Sequence, residues 1–160
     1  EFRRVLFRSL DEWSSVTLVM KIHYTLTLKK DRMEKNSPIL GLGNDIVEIE
    51  RVRRSYDRHG LSFLSKLFSI EEQDYCLKFE DPVPRIAARF SVKESVVKAL
   101  GTGFGEEVSW LDMEILNDSF GKPHVTFSSS LKKKFNDPHV LISISHCQLY
   151  VATTAIWVNT

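Results

Sequence analysis

Residues 85–103 read RIAARFSVKESVVKALGTG and contain the longest helix predicted for the chain. Apolar residues fill most of its positions, so little of this helix can face water and we expect it in the core. Gly101 ends the helix. Glu94 and Lys98 stand four residues apart on one face, and Arg89 and Lys93 have the same spacing on a neighbouring stripe. The stretch therefore predicts a mostly buried helix that carries charged side chains.

The pair Glu94 and Lys98 has two interpretations. A pair with this spacing is usually a salt bridge on a solvated face. A carboxylate beside lysines on a mostly buried helix also suits a magnesium–phosphate site, because magnesium prefers oxygen ligands and a cation neutralises phosphate charge. The turn Gly101-Thr102-Gly103 is expected to offer backbone N–H groups to an anion. The apolar surroundings favour the second interpretation without deciding it.

A second carboxylate precedes the first predicted helix. Residues 39–43 predict a strand whose glycines allow close backbone approach. Asp45 follows where that strand gives way to a helix, which has apolar residues at positions 46, 49, 52 and 56 and ends at Gly60. Asp45 is then either the N-cap of this helix or a magnesium ligand together with Glu94, if the strand and the long helix lie side by side.

Basic residues line one face of the same helix. Arg51, Arg54 and Arg58 are spaced i, i+3 and i+7, and Arg53 and His59 broaden the patch. The patch is either a solvated charged face or a docking surface for an acidic partner, which charge complementarity would attract. Because the helix is predicted to begin at Asp45, such a partner would arrive beside that carboxylate.

The remaining elements complete an α+β pattern. They are helices at 69–79 and 128–135, a loop at 81–84, a hairpin turn at 117–122, and strands at 111–116, 123–127, 140–144 and 150–158. Ser69 is the expected N-cap of the first of these helices, with Glu71 and Glu72 in its first turn. This order predicts a single α+β domain with a mostly antiparallel sheet packed against the long helix. His146 ends one of the strands, where a lone histidine is usually structural or exposed.

Composition excludes several classes of protein. With 42% hydrophobic and 27% charged residues, the 160-residue chain fits one globular domain. It has no run of about 18 apolar residues that would span a membrane. The isolated Cys76 and Cys147 favour a reducing, cytoplasmic setting and no zinc site. The net charge is +3 over residues 1–32 and −2 over residues 33–160, which argues against a general nucleic-acid binder.

The chain divides into two parts at about residue 37. Residues 1–37 are predicted to be an N-terminal extension, either disordered or a non-native leader that lies largely upstream of Met33. Leu26 and Leu28 alternate with threonines and allow a short strand there. Residues 38–158 are predicted to form the functional domain, and we exclude the extension from functional reasoning.

Four motifs in order resemble the holo-[acyl-carrier-protein] synthases, the small trimeric branch of the 4′-phosphopantetheinyl transferases. They are GLGNDIVEIERV (41–52), RFSVKESVVKALGTG (89–103), GKPHV (121–125) and SISHC (143–147). One such motif would be unspecific, whereas four in register over residues 38–158 are specific. Two positions depart from the family pattern: Asn44, where small or β-branched residues are commoner, and Ser95, where alanine is commoner.

The resemblance implies a fold, a reaction and partners. We expect a 4′-phosphopantetheinyl transferase-like fold and magnesium-dependent transfer of 4′-phosphopantetheine from coenzyme A to a serine of apo-acyl carrier protein, for fatty acid biosynthesis. A homotrimer with active sites between subunits is implied, with no nucleic acid or membrane as partner. Two other hypotheses remain: a non-catalytic carrier-protein-binding subunit, and an α+β nucleic-acid-binding domain that uses the arginine helix.

The resemblance also implies roles for individual residues. The implied catalytic residues are Asp45, Glu94, Lys98 and His146. Of these, Asp45 and Glu94 hold the metal, and Lys98 lies near the transferred phosphate. Glu94 is also the candidate general base, directly or through a water molecule. The implied coenzyme A contacts are Arg89, Lys93, Lys98, Gly101, Thr102, Gly103, Lys122 and Pro123. The implied carrier-protein docking residues are Arg51, Arg54 and Arg58.

Overall fold

The computed structural model describes residues 37–159, so the predictions for residues 1–36 lie outside the described part of the chain. The elements follow in the order β1 (Ile39–Glu48), α1 (Ile49–His59), α2 (Leu61–Leu67), α3 (Ile70–Leu77), α4 (Val83–Leu100), a 3-10 turn (Trp110–Asp112), β2 (Met113–Asn117), β3 (Pro123–Phe127), α5 (Ser129–Phe135), β4 (His139–His146) and β5 (Tyr150–Val158). The predicted α+β class is confirmed.

Two antiparallel sheets carry the strands. The larger has the order β1-β5-β4, and the smaller is the hairpin of β2 and β3. Strand β5 is central because it pairs with β1 on one side and β4 on the other. The long helix α4 lies across one face of the larger sheet, where Val92, Val96 and Val97 are fully buried beside Val151 and Ala155. The predicted packing of an antiparallel sheet against the long helix is therefore present.

Two glycines of β1 rest directly on the backbone of α4. A Cβ atom at Gly43 would stand 1.9 Å from the carbonyl oxygen of Ser95, and one at Gly41 would stand 1.9 Å from that of Ala99. No side chain fits such gaps, so only glycine permits this approach. Alternate residues of a strand share a face, and Asp45 therefore also faces α4.

The boundary between β1 and α1 differs from the prediction. Strand β1 continues to Glu48 and helix α1 begins at Ile49, so Asp45 lies inside the strand and is not an N-cap. The reason is long-range pairing, because β5 continues alongside β1 until Glu48 faces Tyr150. A pairing partner more than a hundred residues away leaves no signal in the local sequence.

Several other boundaries also shift. Helix α2 was not predicted, α4 begins at Val83 and not at residue 85, and the segment expected as a strand from residue 111 starts with the 3-10 turn before β2. The predicted cap of α3 is present, because Ser69 Oγ accepts from the Glu72 N–H and the Ser69 N–H donates to the Glu72 carboxylate. Local caps were thus predicted more accurately than element lengths.

Replacing Gly43 with alanine should separate β1 from α4. The new Cβ would overlap the Ser95 carbonyl, and overpacking of this kind should lower the free energy of unfolding by about 3 kcal/mol. Gly105→Ala is the matched control, because no atom lies within 4 Å of its added Cβ. Denaturant unfolding compares the two variants. Equal stabilities would contradict the close contact of β1 with α4.

Candidate active site

Both carboxylate oxygens of Asp45 accept hydrogen bonds from side chains of α4. Lys98 Nζ donates to Asp45 Oδ1 at 2.8 Å, and also to the Asn44 carbonyl oxygen at 2.9 Å. Ser91 Oγ donates to Asp45 Oδ2 at 2.8 Å. The Asp45 side chain is 14% exposed and the Lys98 side chain 41%. The pair thus lies at the edge of the protein interior, where a ligand can reach it.

Glu94 lies on the helix face that contacts Asp45. It follows Ser91 by three residues and precedes Lys98 by four, so the three side chains share one stripe of α4. Since Ser91 and Lys98 both touch Asp45, the half-buried Glu94 between them faces the same region. The structure therefore places Lys98 in contact with Asp45, and it places Glu94 on the same stripe of α4.

His146 lies further away. It ends β4 opposite Val151, and strand β5 separates it from the strand that carries Asp45. Its side chain is exposed. Within the described part of one chain, His146 is therefore not a direct neighbour of Asp45.

Asp45 and Glu94 supply the type of ligand that magnesium takes. Magnesium usually takes one or two protein carboxylates and completes its octahedron with substrate phosphates and water. Among residues 37–159, no group of three or more His, Cys, Asp or Glu side chains could hold a metal, so these residues provide no complete cage. Each Asp45 oxygen accepts a hydrogen bond from α4 and has a second lone pair for a ligand. Asp45 and Glu94 thus match the requirement of magnesium better than that of zinc.

Arg89 is buried between α3 and the β2–β3 hairpin. Its Nη2 donates to Asn117 Oδ1 at 3.2 Å, and its guanidinium carbon lies 3.9 Å from the centre of the Tyr75 ring. Arg89 Nε and Thr102 Oγ1 are buried polar atoms without a hydrogen-bond partner among the described residues. Both belong to the implied coenzyme A contacts, and a buried polar group of this kind gains from a ligand that can pair with it.

Lys93 is placed inside the protein and not at a surface that phosphate could reach. Its side chain is fully buried, and Nζ donates to Glu72 Oε2 at 2.7 Å, to the Leu67 carbonyl at 2.7 Å and to the Trp110 carbonyl at 3.0 Å. Burial lowers the pKa of Lys93 and raises that of Glu72, while the attraction between the two opposes both shifts. This placement favours a structural role for Lys93 over the implied phosphate contact.

The turn after α4 uses its own backbone N–H groups. The Gly101 N–H donates to the Lys98 carbonyl, and the Thr102 and Gly103 N–H groups both donate to the Val97 carbonyl. The expectation that this turn offers N–H groups to an anion is therefore wrong. The last carbonyls of a helix lack partners inside it, and the left-handed Gly101 returns the chain so that the turn can pair with them.

Lys122 lies at the tip of the β2–β3 hairpin, in a turn that hydrogen bonds hold rigidly. Asp118 Oδ1 accepts from the Phe120 N–H at 2.8 Å and from the Lys122 N–H at 2.9 Å. Asn117 Nδ2 donates to the Gly121 carbonyl at 2.7 Å. Pro123 then begins β3. The exposed Lys122 side chain therefore extends from a fixed backbone position.

The arginine face of α1 is smaller than predicted. Arg53 forms a two-pronged ion pair with Asp81, at 2.7 Å and 3.2 Å, and Asp81 also accepts from the Val83 N–H at the start of α4. Arg53 therefore fixes α1 to α4, and the pKa of Asp81 is lowered mainly by this pairing. Arg54 and Arg58 are exposed and Arg51 is half-buried, which leaves a smaller basic stripe on the helix that follows β1.

Comparisons with known proteins show the family of this chain. A family model described as the 4′-phosphopantetheinyl transferase superfamily matches residues 41–155. Holo-[acyl-carrier-protein] synthase of Protochlamydia amoebophila is 52% identical over 118 residues, which cover 74% of this chain and 97% of that protein. The chain belongs to the holo-[acyl-carrier-protein] synthase family.

Solved structures of the family share the fold. The chain is 30% identical, with a TM-score of 0.67, to a holo-(acyl-carrier-protein) synthase from Bacillus anthracis in complex with CoA (3′,5′-ADP), and the match covers 78% of this chain and 100% of that one. The Helicobacter pylori synthase in complex with coenzyme A is 32% identical, also with a TM-score of 0.67, and the match covers 72% and 98% of the two chains.

The two departures from the family pattern have local explanations. Asn44 Nδ2 donates to the Thr153 carbonyl at 2.8 Å and to Thr154 Oγ1 at 3.1 Å, so it reinforces the pairing of β1 with β5. Ser95 Oγ donates to the Val92 carbonyl within α4 at 2.8 Å. Its small, internally bonded side chain leaves the helix surface free for Gly43.

Proposed function

We propose that residues 38–158 transfer the 4′-phosphopantetheine group from coenzyme A to a serine of apo-acyl carrier protein, giving holo-acyl carrier protein for fatty acid biosynthesis. The observation that carries the proposal is the cluster of Asp45, Ser91 and Lys98, with Glu94 on the same helix face, in a chain of this family. The names of relatives support the substrates, because they are holo-[acyl-carrier-protein] synthases and two solved ones hold coenzyme A.

The proposed chemistry is a phosphoryl transfer. Asp45 and Glu94 would hold a magnesium ion, which supplies positive charge beside the coenzyme A pyrophosphate. The carrier-protein serine oxygen bonds to the β-phosphorus, the bond from that phosphorus to the bridging oxygen breaks, and adenosine 3′,5′-bisphosphate leaves. Glu94, directly or through a water molecule, takes the serine proton. Lys98, held by Asp45 and the Asn44 carbonyl, stabilises the developing negative charge.

Glu94→Gln should stop magnesium-dependent transfer while the fold remains. The intact mass of an apo-acyl carrier protein, incubated with coenzyme A and magnesium, measures the transfer. We expect the native chain to modify it, a chelator to prevent modification, and Glu94→Gln to lower the rate at least about 100-fold. Glu106→Gln, the same change at an exposed residue of the loop after α4, is the control and should keep the native rate.

The outcomes separate the hypotheses. Native turnover by Glu94→Gln would contradict the metal and base assignments. No mass change under any condition would favour the non-catalytic subunit. Circular dichroism confirms that each variant is folded, so that lost activity is not lost structure.

We assign carrier-protein docking to Arg51, Arg54 and Arg58. Arg54 and Arg58 are exposed on α1, which begins four residues after Asp45, so an acidic partner on this stripe would lie near the carboxylates. The pairing of Arg53 with Asp81 keeps the helix that carries the stripe in place.

Arg58→Glu should weaken carrier-protein binding selectively. Repulsion of an acidic partner should raise the KM for carrier protein about tenfold or more and leave the KM for coenzyme A unchanged. Lys133→Glu, an equal charge reversal on α5, is the control. Equal effects on both substrates would contradict docking on α1. Binding of duplex DNA that falls steeply with salt and ignores coenzyme A would instead favour the nucleic-acid hypothesis.

The uncovered face of the larger sheet supports a homotrimer. Opposite α4, the side chains of Leu42, Ile46 and Leu141 are 65%, 66% and 47% exposed. Asn44 and Thr154 lie between them without adding charge. An exposed apolar patch of this kind marks an interaction site, and copies of this chain are the proposed occupants. Active sites between subunits would then bring His146, which is exposed at the end of β4, towards the carboxylates of another copy.

Ile46→Glu should convert the assembly to monomers. A carboxylate in the apolar sheet face would remain unpaired on association, which is costly. Light scattering after size exclusion measures the mass of the native chain and of the variant, and we expect a trimer and a monomer. Ile70→Glu, which changes an exposed residue of α3, is the control and should remain trimeric. A monomeric native chain would contradict the trimer.

The cellular setting is also a proposal. Both cysteines are free thiols, Cys76 buried and Cys147 exposed, which supports a reducing cytoplasm. Of the helices between residues 37 and 159, none has both the length and the apolar character needed to cross a membrane.

A further inference from the structure

The buried ion pair of Glu72 and Lys93 has no part in the chemistry above. Both side chains are fully buried, and the Lys93 ammonium group donates its three hydrogen bonds inside the protein. Desolvating two charges is expensive, and apolar residues of similar volume often replace such a pair without loss of stability. Stability alone is therefore a weak reason for this pair, and its contacts point to another role.

One branch of contacts leads to the loop after α4. Lys93 Nζ donates to the Trp110 carbonyl at 3.0 Å. The Trp110 ring stacks on Phe104, with centroids 3.6 Å apart, and on Phe90 of α4, at 5.1 Å. Phe104 directly follows Gly103. Trp110, which Lys93 fixes against α4, thus holds Phe104 at the end of the turn formed by residues 101–103.

The other branch leads to the β2–β3 hairpin. Glu72 Oε1 accepts from the Ile115 N–H of β2 at 2.9 Å. Two residues further along β2, Asn117 accepts from Arg89 and donates to the Gly121 carbonyl beside Lys122. The tip of the hairpin is therefore connected to Glu72 through one short, hydrogen-bonded strand.

We propose that Glu72 and Lys93 are positioning residues for coenzyme A, which hold residues 101–104 and the hairpin tip, residues 118–122, at a fixed separation. The two charged groups contact each other at 2.7 Å, so one ion pair joins the two branches of contacts. The inference rests on the proposed role of these segments in binding coenzyme A.

The double variant Glu72→Leu with Lys93→Met tests the proposal. It removes the charges and nearly preserves the volume, so the fold should persist. Misplacement of the two segments should raise the KM for coenzyme A about 10- to 100-fold, with kcat and the KM for carrier protein nearly unchanged. Glu72→Gln with Lys93→Met keeps an oxygen for the Ile115 N–H and should recover part of the loss. A folded double variant with the native KM for coenzyme A would overturn the proposal.

Two single variants complete the test. Asn117→Ala breaks the link between β2 and the hairpin tip, so it should raise the KM for coenzyme A even if the double variant fails to fold. An unchanged KM in Asn117→Ala overturns the hairpin branch, and with it the proposal. Lys122→Ala tests the proposed function separately: if it leaves the KM unchanged, the binding role of the hairpin fails. If it raises the KM while the folded double variant does not, only the positioning role fails.

Discussion

The contact of Gly41 and Gly43 with the backbone of α4 is the constraint on which the candidate site depends. Each glycine leaves room for a helix carbonyl that a Cβ atom would meet at 1.9 Å. Any larger residue would move the strand outward by more than the range of donor–acceptor distances that a hydrogen bond allows. Asp45, two residues after Gly43, would then lose the contacts at 2.8 Å with Ser91 and Lys98. Two residues without side chains thus set the geometry of the carboxylate that follows them.

The sequence predicted what local chemistry determines. Ser69 with Glu72 forms the expected cap, Gly101 ends α4, and the spacing of Glu94 and Lys98 puts them on one face. Asp45 was misassigned as a possible cap, because its place in β1 depends on pairing with Thr153, far along the chain. Periodicity and capping rules describe neighbours along the sequence, and they carry no information about such a partner.

Lys93 and Lys98 show why residue type and spacing do not determine function. Five positions apart, they point to different sides of α4. Lys98 is partly exposed beside Asp45, whereas Lys93 meets the fully buried Glu72. The Glu72 carboxylate also accepts from the Ile115 N–H. Glu72 therefore connects α3 to β2, in addition to its place in the first turn of α3. Lys93 becomes buried, unlike Lys98, only when α3 and β2 pack on α4. A short window of sequence around Lys93 includes neither of these elements.

The end of α4 constrains how the proposed site can recognise phosphate. Helix termini often bind anions through free backbone N–H groups, but those are a property of N-termini. After α4, the N–H groups of residues 101–103 all pair with carbonyls of the last turn. In the proposed function, the negative charge of coenzyme A must therefore be met by the magnesium ion and by cationic side chains, of which Arg89 and Lys98 lie on α4 and Lys122 lies at the tip of the β2–β3 hairpin. Recognition by side chains requires those elements to keep their relative positions, and this gives a buried ion pair between α3 and α4 its importance.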